Sequence, residues 1–273
     1  MTHKEIFQRF GIEPKKSLWQ NFLTNDAILE KIASFLDVKW KNIIEVWPWY
    51  WALTEKLVEK SPSSLCLVEL DVKMVSILNE RIQLWEFSNY KNLLIHNIDV
   101  LKFQPDFNNY LLIANIPYYI TSPILYRFFY ELENRPSDML ILMQKDVWDK
   151  LLKKSKNKDS VLSLYCEMAT SEIKEIIKVW AWNFMPPPKV ESSVIYFKVR
   201  SDVDIDKSKK VLSIIKKWFS EKRKKLFSNL TKGWYEKSLV EKYFNENWID
   251  FNIRAEDFWL QNWIKLFEAL QLK

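Results

Sequence analysis

The stretch NIIEVWPWYWALTEKL (residues 42–57) decides the fold of this 273-residue chain. It begins with an apolar run over 42–46, which is typical of a buried β-strand, and it continues as a helical pattern from residue 52 onward. A tight strand-to-helix turn that approaches a ligand needs residues without a side chain. The turn here carries Trp47, Trp49 and Trp51 instead. The pattern predicts a strand, a ligand-binding turn and a helix, with an unexpected residue type in the turn.

The same alternation of apolar runs and helical patterns extends over the first 200 residues. Strands are predicted at 42–46, 65–70, 93–96, 110–116, 139–144 and 193–199, with a short extended stretch at 175–179. Helices are predicted at 52–60, 72–85, 123–134, 146–154 and 160–169. Such alternation favours an α/β fold, in which a mostly parallel, Rossmann-like sheet has helices on both faces. A ligand of such a sheet lies beyond the carboxyl ends of its strands.

The C-terminal part of the chain has no strand pattern. After a polar segment at 201–206, helices are predicted at 206–230, 237–245 and 260–270. The sequence therefore predicts two domains, a sheet domain over residues 1–202 and a small all-helical domain over 203–273.

Composition and charge exclude several classes of protein. The chain is 48% hydrophobic and 28% charged, which is typical of a globular protein and not of a disordered one. No apolar run has the length of a membrane span, and the first ten residues are too polar for a signal peptide. Cys66 and Cys166 have neither disulfide-scaffold nor zinc-site spacing, so we expect a cytoplasmic protein without a metal. The net charge of +6 favours a polyanionic partner.

The glycine and tryptophan counts are abnormal. The chain has 2 glycines and 14 tryptophans, whereas average usage predicts about 19 glycines. Together the two residue types make up about 6% of the chain, close to the usual share of glycine alone. This arithmetic suggests that UGA codons read as glycine in the source are written here as tryptophan. The alternative is a protein that is truly rich in tryptophan, with a blocked ligand site.

Acidic residues follow the next two predicted strands. Glu69, with Asp71 close behind it, ends one strand, where it is placed to accept hydrogen bonds from the ribose hydroxyls of an adenosine cofactor. Asp99 follows the next strand, where it could meet the adenine amino group. Each residue alone is more commonly a solvated turn residue. Together with the turn at 47–51, they predict a site for S-adenosylmethionine (SAM).

The fourth strand ends in Asn115-Ile116-Pro117-Tyr118, the most specific motif in the chain. An exocyclic amine of a nucleobase is a poor nucleophile, because its lone pair is delocalised into the ring. The Asn115 carbonyl and a nearby backbone carbonyl can accept its two hydrogens, while Tyr118 stacks on the base. Pro117 stiffens the turn and removes a backbone donor. The motif could be a turn alone, but after a SAM site it predicts methyl transfer to an amine.

These motifs resemble a known family. SLWQNFLT (17–24), VELD (68–71), NIPYYITSPIL (115–125) and NFMPPPKVESSVIYF (183–197) occur in the order typical of the rRNA adenine N6-dimethyltransferases, the KsgA/Erm superfamily. The resemblance extends from about residue 17 to residue 270. Within the superfamily, FSEKRKKLFSNL (219–230) and IDFNIRAEDFWL (249–260) are similar to KsgA, which acts on the small ribosomal subunit.

The resemblance assigns roles to individual residues. It implies cofactor contacts at Gln20, Asn21, Leu23, Trp47, Trp49, Glu69, Asp99 and Asn115. It also implies that the target adenine lies between Tyr118 and Phe184. The family typically has glycine or another small residue at the positions of Trp19, Trp47, Trp49, Trp148 and Trp248, but tolerates a bulky residue at Trp263.

A basic segment at 207–225 is the predicted RNA contact. It carries nine Lys or Arg residues against one Glu, with apolar residues at helical spacing on its other face. Such a charge run is usually a solvated face, but beside a base-stacking site it favours phosphate binding by Lys222, Arg223, Lys224 and Lys225.

The expected reaction is SAM-dependent dimethylation of two adjacent adenosines in the 3′-terminal hairpin of 16S rRNA, in the immature 30S subunit. The resemblance further implies a monomer. One alternative is an Erm-type enzyme that acts on 23S rRNA. The other, which holds if the tryptophans in the turn are real, is a non-catalytic RNA-binding factor.

Overall fold

The structure is a computed structural model that describes residues 2–14, 20–84, 90, 92–116, 120–152, 159–219, 221, 224–232 and 235–271. The chain divides into two compact units. The first consists of Met1–Trp148 with Ser171–Val199, and the second of Asp149–Thr170 with Arg200–Lys273. These units differ from the domains expected from the sequence, because 149–170 groups with the C-terminal helices. The functional division into 1–202 and 203–273 stays a prediction.

The strands form one large sheet and one small one. In chain order they are β1 (Phe22–Leu23), β2 (Asn42–Val46), β3 (Ser64–Glu69), β4 (Leu93–Asn97), β5 (Tyr110–Asn115), β6 (Asp138–Gln144), β7 (Thr170–Val179), β8 (Phe184–Met185) and β9 (Ser192–Val199). The large sheet has the order β4-β3-β2-β5-β6-β9-β7, and its first five strands are parallel. Strand β9 runs antiparallel to β6. The predicted α/β sheet with its helices is therefore confirmed.

The small sheet was not predicted from the sequence. Strand β1 pairs antiparallel with β8, so that Phe22 lies opposite Met185 and Leu23 opposite Phe184. Two-residue strands are too short to show an alternating pattern. This pairing joins residues 22–23 to residues 184–185, which directly precede the proline run at 186–188.

Among the residues that the structure describes, seven α-helices precede residue 170. They are α1 (His3–Arg9), α2 (Asp26–Phe35), α3 (Ala52–Glu59), α4 (Val72–Leu84), α5 (Thr121–Tyr126), α6 (Lys145–Leu151) and α7 (Val161–Ala169). Helix α5 continues as a π-helix over Arg127–Glu131, so the predicted helix 123–134 starts earlier and ends sooner than expected. Helices α1 and α2 were missed. Thr2 and Glu5 cap the short α1 with a capping box, and the Asn25 side chain caps α2.

Strand β7 is longer than predicted. The sequence predicts an extended stretch at 175–179, but the strand begins at Thr170. Its first residues include Glu172 and Lys174, which form an ion pair at 3.4 Å on this edge of the sheet. Because an edge strand exposes charged side chains, it lacks the continuous apolar run that marks the buried strands.

The second unit contains the C-terminal helices α8 (Ile205–Phe219), α9 (Leu226–Thr231), α10 (Lys237–Glu246) and α11 (Leu260–Gln271). The single helix predicted over 206–230 is wrong, because α8 ends at Phe219 and α9 starts at Leu226. Lys225 is extended and forms a β-bridge with Arg254, and the Leu226 amide donates to the Ile253 carbonyl at 2.8 Å. This long-range pairing interrupts the helix, and no local signal in the sequence predicts it.

The predicted apolar face of α8 is confirmed, since Val211, Leu212, Ile215, Trp218 and Phe219 are buried. Among the residues that the structure describes, no helix combines the length and the apolar composition that a membrane crossing requires.

Candidate active site

The turn between β2 and α3 has the backbone of a glycine-rich turn. Trp47, Trp49 and Trp51 adopt φ angles of 56°, 54° and 91°. The Trp47 amide donates to the Val68 carbonyl and the Trp51 amide to the Pro48 carbonyl, both at 3.0 Å. Positive φ is natural for glycine but sterically unfavourable for a bulky side chain, and it costs about 1–3 kcal/mol for each such residue. The strand–turn–helix prediction is thus confirmed in its backbone.

The indoles of this turn fill the space that a ligand would need. Trp47, Trp49 and Trp51 are only 7%, 6% and 1% exposed. Trp47 and Trp49 line a small cavity of about 20 Å³ together with Glu45, Asn115 and apolar residues such as Leu23. That space holds about one water. With tryptophan in the turn, the cavity cannot hold a cofactor without rearrangement.

Glu69 lies at the end of β3, as predicted, and is 1% exposed. Burial raises the pKa of its carboxyl to about 7, against the opposing effect of backbone N–H groups, among them that of Asp71, which donates to Oε1 at 2.8 Å. The other oxygen, Oε2, is buried and has no hydrogen-bond partner within the described part of the chain. An orphaned acceptor at this position fits a hydroxyl donor such as ribose.

Gln20 and Asp71 meet beside Glu69. The Gln20 side chain donates from Nε2 to Asp71 Oδ2 at 3.2 Å, and both residues are buried. Asp71 Oδ1 also accepts the backbone N–H of Lys73 at 3.0 Å, in the first turn of α4. Gln20 is therefore held at the Glu69 edge of the site by Asp71. The sequence gives one indication of this contact, which is that both residues are expected at the cofactor site.

Asp99 shapes the turn after β4. Its Oδ1 accepts the Leu101 amide at 3.0 Å, and its backbone carbonyl accepts the amides of Lys102 and Phe103. The side chain is half-buried, and its Oδ1 is held by the backbone of the turn. Its contact with an adenine ring stays a prediction.

Asn115 is the last residue of β5, which pairs with β2. It is half-buried and lines the same cavity as Trp47 and Trp49. The structure thus brings the catalytic candidate to the cofactor turn. Pro117 and Tyr118, the rest of the predicted catalytic motif, lie outside the described residues.

Phe184 is joined to the cofactor segment through the small sheet. Its ring is 4% exposed and packs in the core with Leu23, its partner across β1 and β8. The resemblance implies a ring that is open for stacking on the target adenine, whereas in this structure the ring is buried. The neighbouring Asn183 accepts from the Thr24 amide at 2.9 Å and from Asn25 Nδ2 at 2.7 Å. Asn21, half-buried, immediately precedes β1. Asn183 was not predicted as a site residue, and its signal in the sequence is an amide three residues before the first proline of the run at 186–188.

The basic candidates are only partly described. Lys224 and Lys225 are exposed. Lys224 pairs with Glu221 at 2.6 Å, and Lys225 Nζ donates to Asn252 Oδ1 at 2.6 Å. Lys222 and Arg223 lie outside the described residues. A search of the described residues for metal-binding groups of His, Cys, Asp and Glu finds none.

Similarity to known proteins decides the family. A family model described as ribosomal RNA adenine dimethylase matches residues 12–272. The chain belongs to this family. It is 35% identical to the ribosomal RNA small subunit methyltransferase A of Mycoplasma mobile, over 94% of this chain and 98% of the relative. The protein of the same name from Bacillus cytotoxicus is 32% identical, over 98% of this chain and 94% of the relative.

Solved structures agree on the fold. The 23S rRNA methyltransferase ErmE has a TM-score of 0.70 at 21% identity, over 92% of this chain and 99% of that one. A dimethyladenosine transferase from Plasmodium falciparum has a TM-score of 0.72 at 21% identity, over 90% of this chain and 95% of that one.

Family membership confirms the predicted enzyme class and cofactor: the chain is a SAM-dependent rRNA adenine dimethyltransferase. Two parts of the site differ in how they fit SAM. The strand ends fit it, since the buried Oε2 of Glu69 has no hydrogen-bond partner among the described residues and Asn115 lines the same cavity as Trp47 and Trp49. The indoles of Trp47 and Trp49 do not fit it, because they occupy that cavity.

Proposed function

We propose that this chain methylates N6 of two adjacent adenosines, twice each, in the 3′-terminal hairpin loop of 16S rRNA. The observation that carries the proposal is its similarity, over nearly the whole chain, to proteins named for the small ribosomal subunit. The segments 219–230 and 249–260 in the C-terminal unit, which resemble KsgA, support the same target. The immature 30S subunit is the proposed substrate particle. The proposed enzyme is cytoplasmic, as the cysteine usage favours, and monomeric, as the resemblance implies.

Catalysis in this proposal depends on positioning. Bound SAM supplies an activated methyl group. The Asn115 carbonyl accepts a hydrogen of the target amine and directs its lone pair, while Tyr118 and Phe184 hold the adenine ring. The Phe184 ring would have to become accessible from its buried position. No strong base is needed, because the amine can lose its proton after it attacks.

A side-by-side methylation assay tests the target. Immature 30S particles and 50S particles are offered to the enzyme with labelled SAM, and the labelled nucleoside is identified. We expect dimethyladenosine in 16S rRNA. Label confined to 23S rRNA would transfer the function to the Erm-type alternative.

Substitution of Asn115 tests the catalytic turn. Asn115→Ala, made in a chain whose gene encodes glycine at 47, 49 and 51, removes a positioned polar group, and we expect the rate to fall by about 10²–10³-fold while SAM still binds. The matched control is Asn42→Ala, at the opposite end of the sheet, where Asn42 Oδ1 accepts a part-buried hydrogen bond from the Ser64 hydroxyl at 2.7 Å. Normal turnover in Asn115→Ala would mean that residues 115–118 form only a structural turn.

We further propose that the tryptophans in the cofactor turn are glycines in the protein made by its source. The support is conformational: the described non-glycine residues with positive φ are Trp40, Trp47, Trp49, Trp51, Trp248, Ser61 and Asn109. Tryptophan supplies five of these seven, although left-handed φ is least suited to a bulky residue. The proposal therefore covers positions 40 and 248 as well.

Not every tryptophan gains this support. Trp148 is buried inside α6, and Trp180 has a φ of −75° and stacks on Trp182 at 5.3 Å. Trp19 lies outside the described residues. The proposal for recoding is thus specific to positions 40, 47, 49, 51 and 248.

Peptide mass measurement on protein from its source tests this proposal. Peptides that span residues 43–56 should have glycine masses at 47, 49 and 51. Tryptophan masses there would contradict the proposal and favour the non-catalytic RNA-binding factor, whose expected mark is RNA binding without SAM binding.

A further inference from the structure

Tyr50 lies in the middle of the cofactor turn and is 1% exposed. Its hydroxyl donates to the backbone carbonyl of Leu23 at 3.0 Å. Its own backbone carbonyl accepts a hydrogen bond from Nη1 of the buried Arg81 in α4. The residue is therefore held at both ends, by the main chain of β1 on one side and by a guanidinium on the other.

The ring of Tyr50 is fixed by aromatic neighbours. It makes edge-on contacts with Phe7 at 4.8 Å and with Phe22 at 5.4 Å between ring centroids. His3 Nδ1 lies 3.1 Å from the hydroxyl. Burial raises the pKa of the Tyr50 hydroxyl above its ordinary value, so that the group keeps its proton and remains a donor.

The carbonyl that Tyr50 binds belongs to Leu23 in β1, the strand that pairs with the segment of Phe184. Leu23 is paired with Phe184 across β1 and β8, and Asn25 binds Asn183 at 2.7 Å directly beside that pair. A path of direct contacts thus leads from the turn at 47–51, through one tyrosine hydroxyl, to the segment that the family resemblance assigns to the target adenine.

We propose that Tyr50 is a positioning residue that couples the cofactor turn to the β1–β8 pair, which carries Phe184, so that SAM and the target adenine bind cooperatively. SAM orders the turn, the Tyr50 hydroxyl transmits that order to Leu23, and the β1–β8 pair holds Phe184 in place. Coupling of this kind is reciprocal, since each ligand raises the affinity for the other by the same factor. The proposal rests on SAM-dependent methylation of an rRNA adenine, and it applies whether the target is 16S or 23S rRNA.

The test compares two tyrosine-to-phenylalanine variants. Tyr50→Phe keeps the ring and removes the hydroxyl. Tyr110→Phe is the matched control, because Tyr110 is also fully buried and its hydroxyl donates to a backbone carbonyl, that of Asn134, at 3.0 Å. Tyr110 starts β5 and so lies at the end of the sheet opposite to Asn115. Both variants are made in a chain whose gene encodes glycine at 47, 49 and 51.

The measured quantity is the affinity for a hairpin RNA with the 3′-terminal 16S sequence, with and without S-adenosylhomocysteine, the product that lacks the methyl group. We expect the parent to bind RNA about 5-fold or more tighter with this ligand. Tyr50→Phe should reduce that ratio toward 1, by about 2-fold or more, the effect of one buried hydrogen bond. RNA affinity without the ligand should not change, and Tyr110→Phe should keep the full ratio.

Two outcomes would overturn the coupling: a parent that binds RNA equally with and without the ligand, or a Tyr50→Phe variant that keeps the full ratio. A purely structural role for Tyr50 would lower both RNA affinities together and leave the ratio unchanged, which also contradicts the proposal. Failure of the proposed 16S target looks different, because the same ratio then appears with a 23S hairpin in place of the 16S hairpin.

Discussion

Two groups of tryptophans in this chain differ in what determines the residue. In the turn after β2, Trp47, Trp49 and Trp51 have left-handed backbones. In the C-terminal unit, Trp218 and Trp263 lie within α8 and α11. The turn demands a backbone conformation that glycine adopts freely, whereas the helices demand a large side chain to fill a core.

The surroundings of Trp263 explain why an indole belongs there. It is 1% exposed, and its ring packs edge-on against Phe258 at 5.0 Å and lies 6.3 Å from Phe219. The indole N–H does not separate the two groups, because Nε1 of Trp49 and of Trp263 are both buried without an acceptor in the described part of the chain. Backbone conformation is therefore the property that distinguishes them.

The largest expected effect is on the helical side of this contrast. Trp263→Gly should lower the free energy of unfolding by about 4–6 kcal/mol, since it empties a core position and puts glycine inside a helix. Urea denaturation measures the loss. The control Trp259→Gly changes a tryptophan that is 53% exposed and precedes α11, and it should cost far less. A small loss for Trp263→Gly would mean that this tryptophan, too, replaces a glycine.

In the turn, replacement of tryptophan by glycine should be favourable. Changing Trp47, Trp49 and Trp51 together to glycine should increase SAM affinity by about 100-fold or more. The reason is that a buried indole must otherwise leave the cavity, which costs about 3 kcal/mol, and 1.4 kcal/mol corresponds to tenfold in affinity. Isothermal titration with SAM measures the change. Equal SAM affinity in the two chains would show that the indoles do not obstruct the site.

Most of the sheet could be predicted because its strands are buried apolar runs. Strand β2 agrees with its prediction residue by residue, and β3, β4, β5 and β6 agree within one residue at each end. Local patterns could not show the pairing of Lys225 with Arg254 that interrupts the long C-terminal helix, or that of β1 with β8. Both depend on partners more than 25 residues away along the chain.

The candidate site was predictable only in its strand-end residues. Glu69, Asp99 and Asn115 were found because a parallel sheet brings its strand ends to one edge. Their supports were not, since the bond from Gln20 to Asp71 and that from Tyr50 to Leu23 join segments that share no sequence pattern. The buried place of Phe184 likewise follows from its pairing with Leu23.

Glu69, at the end of β3, should make the unfolding free energy of the protein depend on pH. Its pKa is raised to about 7 by burial, from 4.5. Because the native state favours the neutral acid, this group's contribution is fully present below pH 4.5 and is lost as the pH rises to about 7. The loss is on the order of 2–3 kcal/mol of unfolding free energy. Glu69→Gln should remove it.

The measurement compares the unfolding free energies of the parent chain and of Glu69→Gln at pH 5 and pH 8. The variant should gain stability relative to the parent at pH 8 and little at pH 5. Burial and, to a smaller extent, the charge of Glu69 raise the pKa of Glu45 to about 8, so the response of Glu45 to Glu69→Gln adds to the difference in the same direction. A difference between the chains that is independent of pH would show that Glu69 is ionised across this range.

The smallest expected effect separates the two regions by function. Neutralising Lys224 and Lys225 by substitution with Gln should weaken hairpin RNA binding and reduce its salt dependence by close to one unit of slope per lost phosphate contact. SAM affinity should stay unchanged, because the SAM candidates all belong to the first unit.

The control neutralises Lys237 and Lys242 on α10, which removes the same charge from the same unit. If the control reduced the slope equally, net charge and not a defined phosphate contact would explain RNA binding. If the Lys224 and Lys225 variant bound SAM more weakly, the assignment of cofactor and RNA to separate units would be wrong.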